Sequence, residues 1–562
     1  MTLGVYDRAD DAYRRAAAAL RLDPLERARI AERRSTVRGE YQGRLTAAIR
    51  QVRSGFALLD ALPASEIDAD RVRAQLLARE ADLRYRQGRL RVAAKLCGEA
   101  MVVAERSGEH RALAAAMSVL DSCLVELGLT KEATHMKTAL ELYEELGDDE
   151  RAAQVHSRLG QAHSLIDSIY GDHLDIRRAF EHFDAARPVL ERGPARKARG
   201  HLELGVSTAL TYGLQIPRGI EAAQRAIEIA ETLGDEALWA GATEAYGWHK
   251  IIAGDLQEGF DAQERAFAAA DRGQRPFLAW MATNIRGQMT WGIGDPDAAQ
   301  RFFERAGALP YAQNTARRAE TADGIGRCHA ARGELAAARR LLSAARPAWV
   351  SHSLEPLIGL WSGDWDRVDA LAAQVTRTCA RNGNRWDEWA SDHLAARVAD
   401  LRGDHARAAE LLERALAIVA GGGADYFATW VLPDLARVRA ATGDAAAARA
   451  AIERCRAILD RGEDWRGRAG VVAMADAVVL SAENQPEAAN ERFAAAEATL
   501  IRYGLVGERA ECLHEWGRAL ARAGDAPGAT DKLAAARELY RAHGAGSRWL
   551  ERLDADLRFE RV

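Results

Sequence analysis

The feature that most constrains this chain is a spacing. Around the break at Gly524-Asp525, a small residue, Gly517, stands seven places before the glycine. Ala529, Leu533 and Ala536 stand five, nine and twelve places after it. The ladder recurs. Gly294 gives Ala299, Phe303 and Ala306, with Gly287 seven before; Gly333 gives Ala338, Leu342 and Ala345, with Gly326 seven before. Gly403 is followed by Ala408, Leu412 and Ala415, and Gly443 by Ala448, Ile452 and Cys455. Asn484 replaces the glycine, yet Ala489, Phe493 and Ala496 keep the register, while Gly254 keeps Gly247 and Ala266 around a less regular Gly259 and Gln263. Small residues let two antiparallel helices approach closely, the large residue fills the seam, and Gly or Asn supplies a left-handed turn. Asp after the turn suits a helix cap, and Pro296, Pro486 and Pro527 fall in the first turn, where a missing N–H costs nothing.

The break markers fall at 4, 43, 88, 128, 171, about 214, 254, 294, 333, 363, 403, 443, 484 and 524. Their step is about 40 residues, and the hairpin resembles a tetratricopeptide repeat, whose usual period is about 34. Abundant alanine and only 13 prolines favour helix throughout. The spacing predicts an all-α, right-handed solenoid of about fourteen tetratricopeptide-like helical hairpins, with a continuous core between neighbours. Two units are irregular: one near 160–180 carries extra residues ("QAHSLIDSIYG"), and the 363 unit is short. The second suggests a bend at 350–366, dividing an array over 1–355 from one over 356–562. Gly4 leads Ala9, Tyr13 and Ala16, so the chain opens on the second helix of a hairpin. The expectation is the tail of a longer protein, or a start further upstream.

Net charge is −5 with a pI near 6.3, which gives no global signature for nucleic acid or membrane. Of 77 basic residues only six are lysine, a skew that fits a GC-rich genome. The six cysteines lie far apart with no CxxC pair, the pattern of packing residues in a reducing compartment. No leader-like apolar core opens the chain, and no run of 18 residues is apolar and uncharged. A cytoplasmic location is expected.

Catalytic signatures were sought in the same way. No G-x-x-x-x-G-K-[ST], H-E-x-x-H or G-x-S-x-G occurs. "GGGADYF" (421–427) falls between a second helix and the next first helix and reads as a flexible linker. His156 and His163 share a helix face with Asp167, and His173 and His182 follow, but solvated or core histidines on ordinary helices are the expected reading. No catalytic residue, cofactor or metal is assigned.

The tetratricopeptide resemblance implies that first helices line a concave face, with positions 2, 5, 9 and 12 directed into it. Position 9 reads Arg327, Arg397, Arg437 and Arg518 in four later repeats, and Trp248 and Gln288 in the middle. Asn284, Trp291, Asp323 and His393 stand at neighbouring groove positions. Arginines one repeat apart suit the carboxylates of an acidic peptide, with Trp248 and Trp291 as apolar anchors. The competing reading pairs each arginine with a carboxylate on an adjacent helix. The expected partner is a protein or peptide, with neither nucleic acid nor membrane bound directly; the oligomeric state is left open.

Segments such as "MKTALELYEELGDDERAAQVHSRLGQAH", "MTWGIGDPDAAQRFFERA" and "RELYRAHGAGSRWLERL" resemble a known class of helical region. It is the C-terminal repeat region of bacterial multidomain signalling proteins. In these a class III adenylate/guanylate cyclase or a transcriptional activator module precedes a STAND-type ATPase and then a tetratricopeptide-like array. The resemblance spans essentially the whole chain. It implies a non-enzymatic sensor or scaffold region, or the regulatory portion of a larger cyclase, ATPase or transcriptional regulator. No Walker motif, cyclase metal-binding aspartate or helix-turn-helix can be placed in this sequence, so the resemblance transfers no catalytic residue.

Overall fold

The structure, a computed structural model, describes residues 3–19, 23–41, 44–62, 67–127, 129, 133–164, 174–193, 196–273, 275–313, 315–344 and 354–559. Among these residues every regular element is helical. Among the described residues a leading helix, Leu3–Ala19, is followed in chain order by twenty-six further α-helices and a closing helix, Ser547–Phe559. This is the all-α helical solenoid that the ladder predicts, with the first marker, Gly4, inside the lone leading helix.

Local chemistry explains the turns. Gly88, Gly254, Gly294, Gly333, Gly363, Gly403, Gly443 and Gly524 all have φ between +73° and +97°. The two non-glycine markers, Leu214 (φ +47°) and Asn484 (φ +58°), adopt the same left-handed region. Gly43, Gly128 and Gly171 lie outside the described residues. At the last hairpin the Asp525 N–H donates to the Leu520 carbonyl at 3.0 Å, closing the first helix in a Schellman-type turn. The Asp525 carboxylate then accepts the Gly528 N–H at 3.0 Å and starts the second helix. Asp295, Asp404 and Asp444 cap their helices in the same way.

The seam is equally regular. Ala299, Phe303, Ala306, Ala408, Leu412, Ala415, Ala448, Ile452, Cys455, Ala489, Phe493, Ala496, Ala529, Leu533 and Ala536 are all 1% exposed or less. A Cβ on Gly517 would stand 2.6 Å from the Leu533 Cγ, and one on Gly287 2.9 Å from the Phe303 ring. The small residue is therefore required by the plug opposite it.

The chain forms two compact units. The first comprises Met1–Ala209, Gly219–Ala245 and Arg265–Ala279; the second comprises Leu210–Arg218, Tyr246–Glu264 and Trp280–Val562. The boundary expected at 355/356 falls inside the second unit. There Leu354, Ile358 and Trp361 share one core with Ala330 and Leu335 before them and with Val398 and Leu401 after them. Residues 350–353 of that expected joint, and residues 165–173 of the irregular unit near 160–180, lie outside the described residues.

Within the second unit, turns that are distant in sequence dock on one another. The Ile216 N–H donates to the Gly422 carbonyl at 3.0 Å, Arg468 N–H to the Ile293 carbonyl at 2.9 Å, and Gly546 N–H to the Trp361 carbonyl at 2.9 Å. In each case the turn inside one hairpin meets a connection about four to six hairpins further on. Glycines make this approach possible. A Cβ on Gly422 would overlap the Leu214 carbonyl oxygen, one on Gly467 the Gly294 carbonyl oxygen, and one on Gly546 the Ser362 carbonyl oxygen. The expectation of a flexible linker at "GGGADYF" is thereby corrected: Gly422 is a docking point, and the Tyr426 hydroxyl donates to the Met289 carbonyl at 2.7 Å. The first unit closes similarly through one side chain. Arg275 donates to the Arg86 carbonyl at 2.8 Å, lies 5.1 Å over the Tyr85 ring and faces Glu126 at 3.6 Å. Among the described residues no helix is long and apolar enough to cross a membrane.

Two outcomes check this packing. Gly517→Val is expected to cost about 1–3 kcal/mol by overpacking against Leu533, read as a lower denaturation midpoint; an unchanged midpoint contradicts the register. The adjacent glycines 421 and 422 are expected to differ. Nothing lies within 4 Å of a Cβ on Gly421, so Gly421→Ala changes stability by no more than about 1 kcal/mol. Gly422→Ala must displace the Leu214 carbonyl and is expected to lower stability by about 2–3 kcal/mol.

Candidate functional site

The four position-9 arginines and their groove neighbours all lie in the second unit, on first helices of six hairpins that are not all consecutive. They gather around carboxylates of the same chain. On helix Arg385–Leu401, Arg397 reaches Asp434 at 3.2 Å and also Glu511, while His393 Nε2 meets Asp434 at 2.9 Å. Arg437, on helix Asp425–Ala441, faces Asp434 and Glu511 at 3.4 Å each and Glu515 at 3.8 Å. Arg518, on helix Val506–Arg522, pairs with Glu515 at 3.2 Å and Asp556 at 3.6 Å. Asp556 also meets His514 Nε2 at 2.9 Å. The column therefore alternates guanidinium and carboxylate across several repeats.

A second cluster surrounds Glu320 and Asp323 on helix Thr315–Ala331. Asn284 Nδ2 donates to Glu320 at 2.9 Å and Gln288 Nε2 to the same oxygen at 3.5 Å. Arg317 pairs with Glu320 at 2.6 Å, and Arg327 with Asp323 at 3.1 Å. The Arg327 guanidinium lies 5.0 Å over the Trp291 ring, which itself packs 5.5 Å from Trp430. Trp248 stands apart from both clusters. It is 5% exposed and packs edge-on against Tyr212 and Trp386, each at 5.6 Å.

The energetics follow from burial. Desolvation works against the Arg397 charge, but Glu511 and Asp434 outweigh it and raise the guanidinium pKa further. Burial likewise penalises the Asp434 carboxylate, and Arg397 with His393 nonetheless holds it well below the usual range. Glu515 is lowered by Arg518 and Arg437 against the same penalty. Removing one member of such a network strands a buried charge, at about 3–5 kcal/mol. Of the acids, Asp323 was visible among the groove positions; Glu320 and Glu511 occupy position 2 of their repeats, where counting carboxylates beside arginines finds them. Asp434 and Glu515 sit between the groove positions and carry no such signal.

The histidines considered for metal binding also meet, in the first unit. His156 and His182 approach through their Nδ1 atoms at 2.8 Å, and His163 stacks on His182 at 5.6 Å between ring centres. His173 and Asp167 lie outside the described residues. Among the described residues no group of three or more His, Cys, Asp or Glu side chains is arranged to hold a metal.

No family model matches the chain, and no curated protein matches it. Among solved structures it is similar to the APC/C hetero-tetramer Cut9–Hcn1, at 13% identity and a TM-score of 0.44, covering 92% of this chain and 97% of that one. A Rap protein complexed with competence and sporulation factor aligns at 12% identity and a TM-score of 0.43, over 67% of this chain and 99% of that one. A STAND signal-transduction ATPase with a tetratricopeptide repeat sensor, from Pyrococcus horikoshii, aligns at 14% identity and a TM-score of 0.33, over 68% and 53%.

Three histidines whose surroundings disfavour the charged imidazole lead to an expected acid sensitivity of the fold. Burial pushes His182 and His543 down to about 4 and His201 to about 3, with neighbouring His156 and Lys197 adding to the shifts at 182 and 201 respectively. Their folded forms stay neutral, whereas an unfolded histidine takes a proton below about pH 6.5. The unfolded state then binds more protons, so stability falls as pH drops from about 6.5 through 4. A melting series is expected to show this slope, and His543→Gln to flatten it; an unchanged melting temperature between pH 7 and 5 contradicts it.

Proposed function

We propose that the chain is a non-enzymatic protein-interaction scaffold whose inner face takes an acidic segment of a partner protein. The observation that supports this reading is the column of Arg327, Arg397, Arg437 and Arg518, each already facing a carboxylate on the first helices of the array. A partner's carboxylates present the same chemistry and compete for the same guanidinium groups. Displacing a buried carboxylate such as Glu511 would strand it, at about 3–5 kcal/mol, so competition favours the exposed end of the column.

Exchange begins where the column meets solvent. Arg518 is 39% exposed and its partner Asp556 35%, against 12% for Arg397 and 8% for Arg437. A displaced Asp556 opens one side of Arg518 to the partner while Glu515 keeps the other. Trp291 offers an apolar contact beside Arg327, whereas Trp248 is packed between Tyr212 and Trp386. In this role the chain serves as a cytoplasmic sensor arm of a bacterial signalling assembly, as the family resemblance implies.

The test is crosslinking and co-purification with wild-type protein, Arg518→Glu, and the triple variant of Trp248, Arg327 and Arg397 to Ala. Helix content by circular dichroism is checked for each. Arg518→Glu is expected to weaken partner retention at least tenfold at unchanged helix content. Equal retention by Arg518→Glu and by a folded triple variant would falsify the inner-face reading.

A further inference from the structure

A pocket of about 540 Å³ is lined by Phe260, Arg286, Arg301, Phe302, Arg305 and Arg466, with Asp295, Asp464 and Tyr503 among its remaining walls. All of these residues belong to the second unit. Three second-helix side chains of Pro296–Ala308 contribute, Arg301, Phe302 and Arg305, so the pocket is built on rigid elements.

Its charge is uneven. Arg286 lies 4.8 Å over the Phe302 ring and 5.5 Å over the Phe260 ring, donating to the Phe260 carbonyl at 2.9 Å. Its nearest carboxylate, Glu264 at 3.3 Å, is shared with Arg305 at 3.6 Å. Arg466 meets Asp295 at 2.8 Å and Asp464 at 3.8 Å. The Asp295 carboxylate is also engaged as the cap of Ala298 N–H. Arg301 is exposed and has no ion-pair partner among the described residues. Four guanidinium groups thus line one pocket, and Arg301 brings no carboxylate of its own. Burial, reinforced by the charges of Arg305 and Arg466, outweighs Glu264 and Asp261 and depresses the Arg286 pKa.

We propose that this pocket binds a small organic oxyanion carrying two or more negative charges, a phosphate ester or a polycarboxylate. Its volume lies within the range of about 300–1,000 Å³ typical of small-molecule sites. The planar forks of Arg301, Arg305 and Arg466 supply paired donors for such oxygens. Phe302 and Tyr503 give the ligand's carbon body an apolar wall. The site is independent of the inner-face reading, because none of its residues belongs to the arginine column.

Calorimetric titration of the full chain at 150 mM salt with ADP, inorganic pyrophosphate and citrate tests this. Saturable binding of at least one probe is expected, and the preferred probe separates phosphate from carboxylate recognition. Arg301→Glu and Arg305→Gln are each expected to weaken binding at least tenfold, while Arg454→Glu, an exposed arginine on another hairpin, leaves it unchanged. Absence of saturable binding with all three probes overturns the proposal. So does binding that Arg301→Glu leaves intact, or that Arg454→Glu weakens as much.

Discussion

Backbone-to-backbone docking of turns is the constraint on which the second unit depends. A hairpin array held only by neighbour contacts behaves as a one-dimensional stack. Here the N–H groups of Ile216, Arg468 and Gly546 donate to carbonyls about four to six hairpins away. Such approach needs bare backbone on at least one side, and Gly422, Gly467 and Gly546 supply it. The first unit reaches a related closure by a different route, with the Arg275 side chain spanning to Tyr85, Arg86 and Glu126.

Docked turns have an electrostatic consequence. First helices of the second unit are brought close enough for Arg397 and Arg437 to meet Glu511, which is 114 and 74 residues further along the chain. A face that a looser array would leave to water becomes a buried ladder of opposite charges. Buried ion pairs contribute little net stability against apolar packing, yet breaking one is costly, so the ladder acts mainly on geometry. Every arginine of the column must stay paired, which fixes the register between distant first helices. Any acidic partner at this face competes with carboxylates already in place.

The sequence made the hairpin legible because the hairpin is local. Helix caps at Asp295 and Asp525, the left-handed turn at Gly524 and the plug at Leu533 all act within about twenty residues. Even the irregular markers Leu214 and Asn484 kept their backbone conformation, since the turn demands it whatever the residue. The arginine column was legible as one recurring position, the ninth, in four of the later repeats. Its acceptors were only partly so: Asp323, Glu320 and Glu511 occupy groove positions, whereas Asp434 and Glu515 do not. What the sequence hides is the accumulated rotation per hairpin. Small rotations sum over four to six units to decide which turns touch, so "GGGADYF" reads as a linker until Leu214 is seen against it. The pocket around Arg301 escapes for the same reason, because Arg466 and Tyr503 arrive from hairpins far along the chain.

Hydrogen–deuterium exchange at the docked turns tests the central claim most directly. Ile216 opens its helix and Gly546 lies in a connection, positions whose N–H groups an isolated hairpin leaves to water. The account predicts that peptides covering these two amides exchange as slowly as the helices beside them, and that Gly422→Ala selectively speeds exchange at Ile216. Rapid exchange of both amides in the wild-type protein, at the rate of free turns, would contradict it.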